Sequence, residues 1–391
     1  MRTAFYTAFG LSILALVVYD VYATILHARA RSGPIGEMLN RTLWSVARAI
    51  AFKLSRVRRH RLLNVIGPLL QPFLIILFIV LLALGFALIY YPRMPANFTV
   101  QGDAASSPFM ASVYFSGTTL TTVGYGDIAP HTTGMRLTAL FESASGFALI
   151  SLAITYLITV YSALERKRAV AISFYHQAEE GANVAAFITH HFVAGRFYSL
   201  ETTLRMATRD LQELLESHVE HPVIHYFHPV EVYKSLPRVL FLALETCAVI
   251  RSCLDNEAYA ETCNHPEVRT LEASSRHVLR ELLASLELER RAARRYKETQ
   301  FEESRRWRHR FEQTLRLLKQ AGIKTRPDEA AAWEFYRARR EEWEAQLHRF
   351  SNYLGYDWDE ITGDRDLRYA ADEEMEEPGK QETGVRSQKT E

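Results

Sequence analysis

Three long apolar runs, separated by charged stretches, organise the first part of the chain. Ala4–Leu26 is apolar apart from Asp20, Ile66–Tyr91 carries no charge, and Gly134–Tyr161 holds only Arg136 near one end and Glu142 further in. At about 1.5 Å of rise per residue, each run is long enough to cross a bilayer as a helix. Pro92–Thr133, between the second and third runs, is too polar to span. It contains Phe109–Leu120, the length of a short helix entering and leaving on one side, with Ser106, Ser107 and Pro108 as its start signals. Charged residues dominate beyond about residue 163, and the pattern there is helical almost throughout.

Charge then gives the runs an orientation. The 30–61 stretch holds Arg31, Arg41, Arg48, Lys53, Arg56, Arg58, Arg59 and Arg61 against a single Glu37, and Arg166, Lys167 and Arg168 follow the third run. Basic flanks stay in the cytoplasm, so both stretches are expected inside, Pro92–Thr133 outside, and the N-terminus outside. Ala28-Arg29-Ala30 would suit signal-peptide cleavage, but Asp20 sits poorly in a signal core and cleavage would strand the basic stretch outside. Asp20 reads as a residue near the inner interface that orients its helix. Within the basic stretch Ile35, Leu39, Leu43, Val46, Ile50, Leu54 and Val57 recur every three or four residues, predicting an amphipathic helix on the inner leaflet that attracts anionic lipid. The regularly spaced arginines of a voltage sensor are absent.

The chemistry is concentrated in Thr121-Thr122-Val123-Gly124-Tyr125-Gly126-Asp127, between the second and third runs. Gly124 and Gly126 permit backbone dihedrals that a Cβ penalises, so successive carbonyls can point the same way. Rings of carbonyls can replace the water shell of a potassium ion. This heptapeptide, in this context, resembles the selectivity filter of the potassium-channel family, and the resemblance covers residues 66–163. It implies that the carbonyls of Thr122, Val123, Gly124 and Tyr125, the Thr122 hydroxyl and the Gly126 turn form the potassium sites. It also implies that Tyr125 packs behind the filter, that Thr121 and Asp127 support it, and that four copies close the pore. In the third run, Gly146 stands where the family often has a flexible glycine, so it is a candidate hinge as well as a packing position. Glu142, one turn earlier, reads as a support at the back of the filter or as negative potential in the cavity. Ile150, Ala153, Ile154, Leu157 and Tyr161 offer apolar faces for a constriction.

The later half offers less. Phe197–Val219, Pro266–Gly322 and Ala330–Phe350 read as packed amphipathic helices, and Leu236–Ile250 as a buried soluble helix. His176, His190, His191, His221, His225 and His228 invite a metal or pH-sensing role, but Pro222 breaks the local spacing and no cysteine completes a ligand set. Cys247, Cys253 and Cys263 include no CxxC pair and read as ordinary buried thiols. The acidic 357–366 segment lacks the glycine placement of a calcium loop. No GxGxxG follows a strand, no cyclic-nucleotide barrel is evident, and no catalytic constellation rises above chance.

The 391 residues carry a net charge of only +1, which names no nucleic-acid partner. The expected fold is an all-α membrane protein: a tetrameric potassium-channel pore domain with a re-entrant pore loop, plus an α-helical cytoplasmic domain. Its parts would be an N-terminal span (1–30), a basic linker (31–65), the pore domain (66–163), a helical regulatory or assembly domain (164–368) and a charged, disordered tail (369–391). The function expected is passive, potassium-selective flux through the inner membrane, with no enzyme activity and no cofactor beyond the permeant ion. The alternatives are a weakly selective cation channel and a membrane-tethered signalling or scaffold protein.

Overall fold

A computed structural model of the chain describes residues 1–27, 33–101, 107–288 and 300–363. The cleavage-site reading at 28–30, Ser106 and the expected disordered tail lie outside them. Among the described residues, regular structure is helical apart from two short antiparallel ribbons. The chain divides into two compact units, one of residues 1–46, 65–166 and 213–227, the other of residues 47–64, 167–212 and 228 onward.

The first unit carries the apolar runs. They fall on α1 (Arg2–Val21, continued by a π-turn at Tyr22–Leu26), α3 (Arg56–Tyr90) and α6 (Thr133–Gln177), all three long and apolar enough to cross a membrane. α1 and α3 approach backbone to backbone: a Cβ on Gly10 would run into the carbonyl oxygen of Gly85, and one on Gly85 into Leu14. Small residues at such crossings let membrane helices gain van der Waals contact where lipid offers no hydrophobic drive. Val17, Ile35, Leu74, Phe78, Leu82, Leu120 and Leu149 form one buried cluster of this unit.

Asp20 has a more specific place than the sequence suggested. It is completely buried, and its carboxylate accepts from the backbone N–H groups of Ile35 and Gly36 and from the Thr24 hydroxyl. These are the first N–H groups of α2 (Pro34–Ala51), which have no partner inside the helix and lie at its positive end. Asp20 therefore caps α2 from the end of α1. The amphipathic segment also breaks earlier than its periodicity indicates. α2 stops at Ala51, the chain turns through Phe52–Ser55, and Val57 belongs to α3. Two prolines, Pro68 and Pro72, lie inside α3 without ending it.

The second unit is built around α9 (Leu236–Cys253), buried along nearly its whole length, as the sequence led us to expect. Pro237 does not interrupt it; it occupies the first turn, where a missing N–H costs nothing, and Ser235 caps that end. Packed on α9 are α7 (Val184–His190), α11 (Pro266–Ser285), α13 (Glu329–Glu341), α14 (Glu344–Tyr353) and α15 (Trp358–Thr362). α10 (Ala260–Cys263) and α12 (Gln300–Gln320) also belong to it, as does α8 (Leu200–Glu220) up to Gln212. The long helical stretches of the sequence reading are thus cut. Ala330–Phe350 breaks between Glu341 and Glu344, and in Pro266–Gly322 the first helix already ends at Ser285.

Buried charge inside this unit is paired. The Arg340 guanidinium lies between Glu245 (3.2 Å) and Glu344 (2.9 Å), and the Tyr336 hydroxyl donates to Glu245. Trp307, Tyr336, Trp343 and Phe241 place their ring centroids 5.1–5.9 Å from the Arg340 guanidinium carbon. Cys247, Cys253 and Cys263 are free and buried, and burial pushes the Cys263 thiol up to about 11. They are packing groups rather than nucleophiles.

A second buried polar cluster joins residues far apart in sequence. His60 on the first turns of α3 places Nδ1 2.6 Å from His228 Nε2 and Nε2 2.9 Å from Glu360, while His228 Nδ1 lies 2.9 Å from the Leu354 carbonyl oxygen. Arg56 and Arg59 pair with Asp357 at 3.0 and 2.6 Å. Three basic side chains at the positive end of α3 are thereby offset by acids at the start of α15.

Burial and the neighbouring His60 hold His228 well below the ordinary histidine value of 6.5. The unfolded chain therefore binds more protons at this site than the folded one. Its stabilising effect is complete above about pH 6.5 and is lost as pH falls below it. Urea unfolding of the purified protein should show a lower midpoint at pH 5.5 than at pH 7.5, and His228→Asn should flatten that dependence.

Candidate ion-conducting loop

The 121–127 loop starts where α5 (Pro108–Leu120) ends. α5 is opened by Ser107, whose side chain accepts from the Met110 N–H, with Pro108 in its first turn. Antiparallel pairing of β1 (Phe98–Val100) with β2 (Ile128–Pro130) closes the segment at its base, with Gln101 N–H donating to the Asp127 carbonyl at 2.8 Å. That ribbon has no strong sequence signal, because three residues are too few to show alternation. Behind the loop, Phe86, Tyr90, Met94, Phe98, Ala111, Phe115 and Ile128 form a buried, largely aromatic cluster.

The backbone of the loop alternates. Thr122, Gly124 and Gly126 have φ of 60°, 56° and 82°, while Val123 and Tyr125 keep negative φ. Positive φ at every second residue departs from the extended backbone of a strand, whose successive carbonyls point to opposite sides. The loop's N–H groups fold back: Thr122 N–H donates to the Thr119 carbonyl, and those of Val123 and Gly124 to Thr118 at 2.9 and 3.2 Å. Among the described residues, no donor reaches the carbonyl oxygens of Thr122, Val123, Gly124 or Tyr125. Four consecutive acceptors are therefore left for something outside the chain.

The supporting residues fall on three helices. Glu142 on α6 is fully buried; one carboxylate oxygen accepts from Tyr90 on α3 at 2.8 Å, and the other contacts the Ser116 hydroxyl on α5. The Ser116 hydroxyl also lies 2.8 Å from the Ala83 carbonyl, and its single proton serves one acceptor at a time. Glu142 thus stands behind α5 and ties it to both long helices. Tyr90 and Ser116 did not stand out in the sequence; a tyrosine at the end of an apolar run and a serine within a short one were their only signals. Asp127 hydrogen-bonds the Tyr114 hydroxyl, and the Tyr114 ring stacks on Tyr125 at 6.4 Å. Tyr125 is otherwise 70% exposed in the single chain. The Thr121 hydroxyl is turned back onto the Gly117 carbonyl at 2.6 Å.

Gly146 sits at a close approach between helices. A Cβ there would collide with the carbonyl oxygen of Leu120 at the end of α5, and α6 runs through it unbroken. Of the apolar residues singled out below it, Ile150, Ile154 and Tyr161 are exposed. Ala153 is buried within the unit, and Ile158 takes its place on the open face.

Glu142→Ala removes the acceptor of a buried tyrosine hydroxyl and opens a cavity behind α5. The expected cost is about 2–4 kcal/mol, seen as a lower thermal unfolding midpoint of the protein in detergent. Glu142→Gln keeps an acceptor for Tyr90 and should recover a good part of the loss.

Comparison with known proteins agrees with this geometry. A family described as ion channel matches residues 75–163, which contain the end of α3, all of α5, the loop and the apolar part of α6. The potassium channel protein kcv of Paramecium bursaria Chlorella virus 1 is 35% identical over 83 residues, 20% of this chain and 85% of that protein. An uncharacterized membrane protein of Bacillus subtilis (strain 168), YdjJ, is 30% identical over 231 residues, 59% of this chain and 65% of that protein. The chain thus spans just under two thirds of the Bacillus relative. No solved structure matches. Among the described residues no group of three or more His, Cys, Asp or Glu is arranged to hold a metal ion, and the family is one of transport rather than catalysis. With its three apolar helices, the short helix α5 and the loop that follows it, this multi-pass membrane protein belongs, through residues 75–163, to the ion channel family.

Proposed function

We propose that four copies of this chain enclose a potassium-selective pore, with Thr122, Val123, Gly124 and Tyr125 contributing their carbonyls to the ion path. The observation that carries this reading is the set of four carbonyls without donors. In a lipid environment an unsatisfied backbone carbonyl costs several kcal/mol, so such a loop needs water, ions or other chains around it. One loop and two flanking helices cannot surround an axis, and rotational symmetry supplies the rest. The open face of α6 is consistent with this assembly: Leu137, Leu140, Phe147, Ile154 and Ile158 are each more than half exposed in the single chain. The relative from the Chlorella virus is a potassium channel protein by name.

In this reading the loop opens outside, the N-terminus lies outside, and the polar helical unit is cytoplasmic. The α2 helix lies on the inner leaflet, with Met38, Val46 and Ile50 exposed for lipid. The deciding experiment is current through the purified protein in planar bilayers under opposed K⁺ and Na⁺ gradients. Reversal at the K⁺ equilibrium potential is the expected result. Reversal near zero would make the protein a weakly selective cation channel. Silence across lipid compositions, pH and C-terminal truncation would favour a membrane-tethered scaffold.

A further inference from the structure

The second unit holds a cavity of about 770 Å³ that the pore does not use. Its volume lies within the range of small-molecule sites. One wall is a single face of α12, where Arg306, His309, Arg310, Gln313, Thr314 and Leu317 follow one another at helical spacing. Opposite stand Ala182, Asn183 and Val184 at the start of α7, Glu245 from the middle of α9, and the end of α15. At that end Gly363 has φ of +72°, and a Cβ there would strike the Cβ of Ala182, so only glycine lets the end of α15 come this close to the start of α7.

The polar groups around this space are not interchangeable. Arg310 is fixed, donating to the Thr362 carbonyl at 2.6 Å with its guanidinium over the Phe241 ring. Arg306 and His309 on the same face are exposed. The two carboxylates present already have cations: Asp359 has Arg56 at 3.4 Å, and Glu245 has Arg340. The charge left for a ligand to answer is therefore positive. Three donors and acceptors are spare. Glu245 is 1% exposed, yet its Oε2 has no hydrogen-bond partner. The Thr314 hydroxyl, on a residue 8% exposed, has none among the described residues. Asn183 spends its Oδ1 capping α7 through the Ala186 N–H, which leaves its NH₂ group. A buried carboxylate oxygen without a donor is costly and calls for an explanation.

We propose that this cavity binds a small organic phosphate, a monoester whose phosphate lies against Arg306, His309 and Arg310 and whose N–H or O–H groups reach Glu245 Oε2. Guanidinium groups pair with phosphate by charge-assisted, forked hydrogen bonds, and the Thr314 hydroxyl and Asn183 NH₂ supply neutral donors beside them. Val184 and Leu317 give the carbon skeleton an apolar wall. Both a nucleoside monophosphate and a sugar phosphate meet this description. Binding stands independently of the pore; an effect on gating rests on the channel reading above.

The test is calorimetric titration of the purified full-length protein with AMP, with glucose 6-phosphate and with inorganic phosphate. One of the two organic phosphates should bind at least about tenfold more tightly than inorganic phosphate, and which one does so identifies the class. Arg306→Gln removes a surface cation, and Asn183→Asp keeps the helix cap while replacing the NH₂ donor by a negative charge. Each should weaken that binding by about tenfold or more while leaving the unliganded melting curve unchanged. Equal affinity for inorganic phosphate would overturn the proposal, as would the absence of binding by all three. Binding that both variants leave intact would overturn it as well. Current recorded with and without the ligand then reports separately on gating, so a failed channel reading does not disguise the binding result.

Discussion

Gly124→Ala abolishes potassium current while the protein still assembles. Gly124 has φ of 56°, and a Cβ built on it meets no atom within 4 Å, so the substitution creates no collision inside the chain. Its effect comes from the dihedral itself. An L-residue in the left-handed region costs roughly 1–2 kcal/mol. In the proposed four-fold ring that cost arises at every loop, about 4–8 kcal/mol in all, and turning the peptide to relieve it takes a carbonyl out of the proposed ion path. Because 1.4 kcal/mol is a factor of ten, the conducting loop becomes on the order of a thousandfold rarer or worse. Flux into vesicles, with cross-linking to report assembly, checks both halves. Unchanged selective current in the variant would show that these carbonyls do not form the path.

His60→Ala strongly destabilises the second unit. His228 Nδ1 faces a backbone carbonyl and so carries its proton there, which leaves Nε2 as the acceptor of His60 Nδ1–H. The remaining contact runs from His60 Nε2 to Glu360 at 2.9 Å, and all three side chains are buried. Removing the His60 ring strands a buried carboxylate oxygen and a buried imidazole together. Breaking such a pair costs about 3–5 kcal/mol, and for a unit of this size about 2–4 °C of melting temperature accompanies each kcal/mol. A fall of roughly 6–20 °C is expected by thermal melting. His60→Gln, which can reach one partner, should lose less. In the proposed channel there is a further readout, because α3 is one helix whose first turns belong to the second unit and whose remainder belongs to the first. Loosening its start should change open probability and leave the reversal potential where it was.

The apolar runs were legible because a membrane-crossing helix needs nothing but length and apolar composition. All three were found, though α3 began earlier and α6 ended later than hydropathy alone marked. The loop was legible for a different reason. Glycine at two alternate positions is a local requirement, written where the dihedrals occur, and Gly124 and Gly126 do adopt positive φ. Thr122 does so as well, without a glycine to announce it. The cuts within the polar helices were harder to see. Glu341 and Glu344 are ordinary helix residues, and the break between them carries no local stop signal; the two helices it separates both pack on α9.

Asp20, Glu142 and His60 mark the boundary between the two kinds of information. Their sequence neighbourhoods say only that a charged or titratable group stands at an apolar border. Their roles depend on partners distant along the chain: Ile35 and Gly36 for Asp20, Tyr90 and Ser116 for Glu142, His228 and Glu360 for His60. The sequence by itself determined the spans, the glycine-dependent loop and the helical class of the rest, because hydropathy, helix period and dihedral preference act within a few residues. Tertiary structure alone decided which buried charges neutralise one another, that Gly146 lies against the Leu120 carbonyl, and where the second unit keeps an open cavity. Those depend on which elements meet, and a hydrogen bond or a void is a property of the pair rather than of either residue.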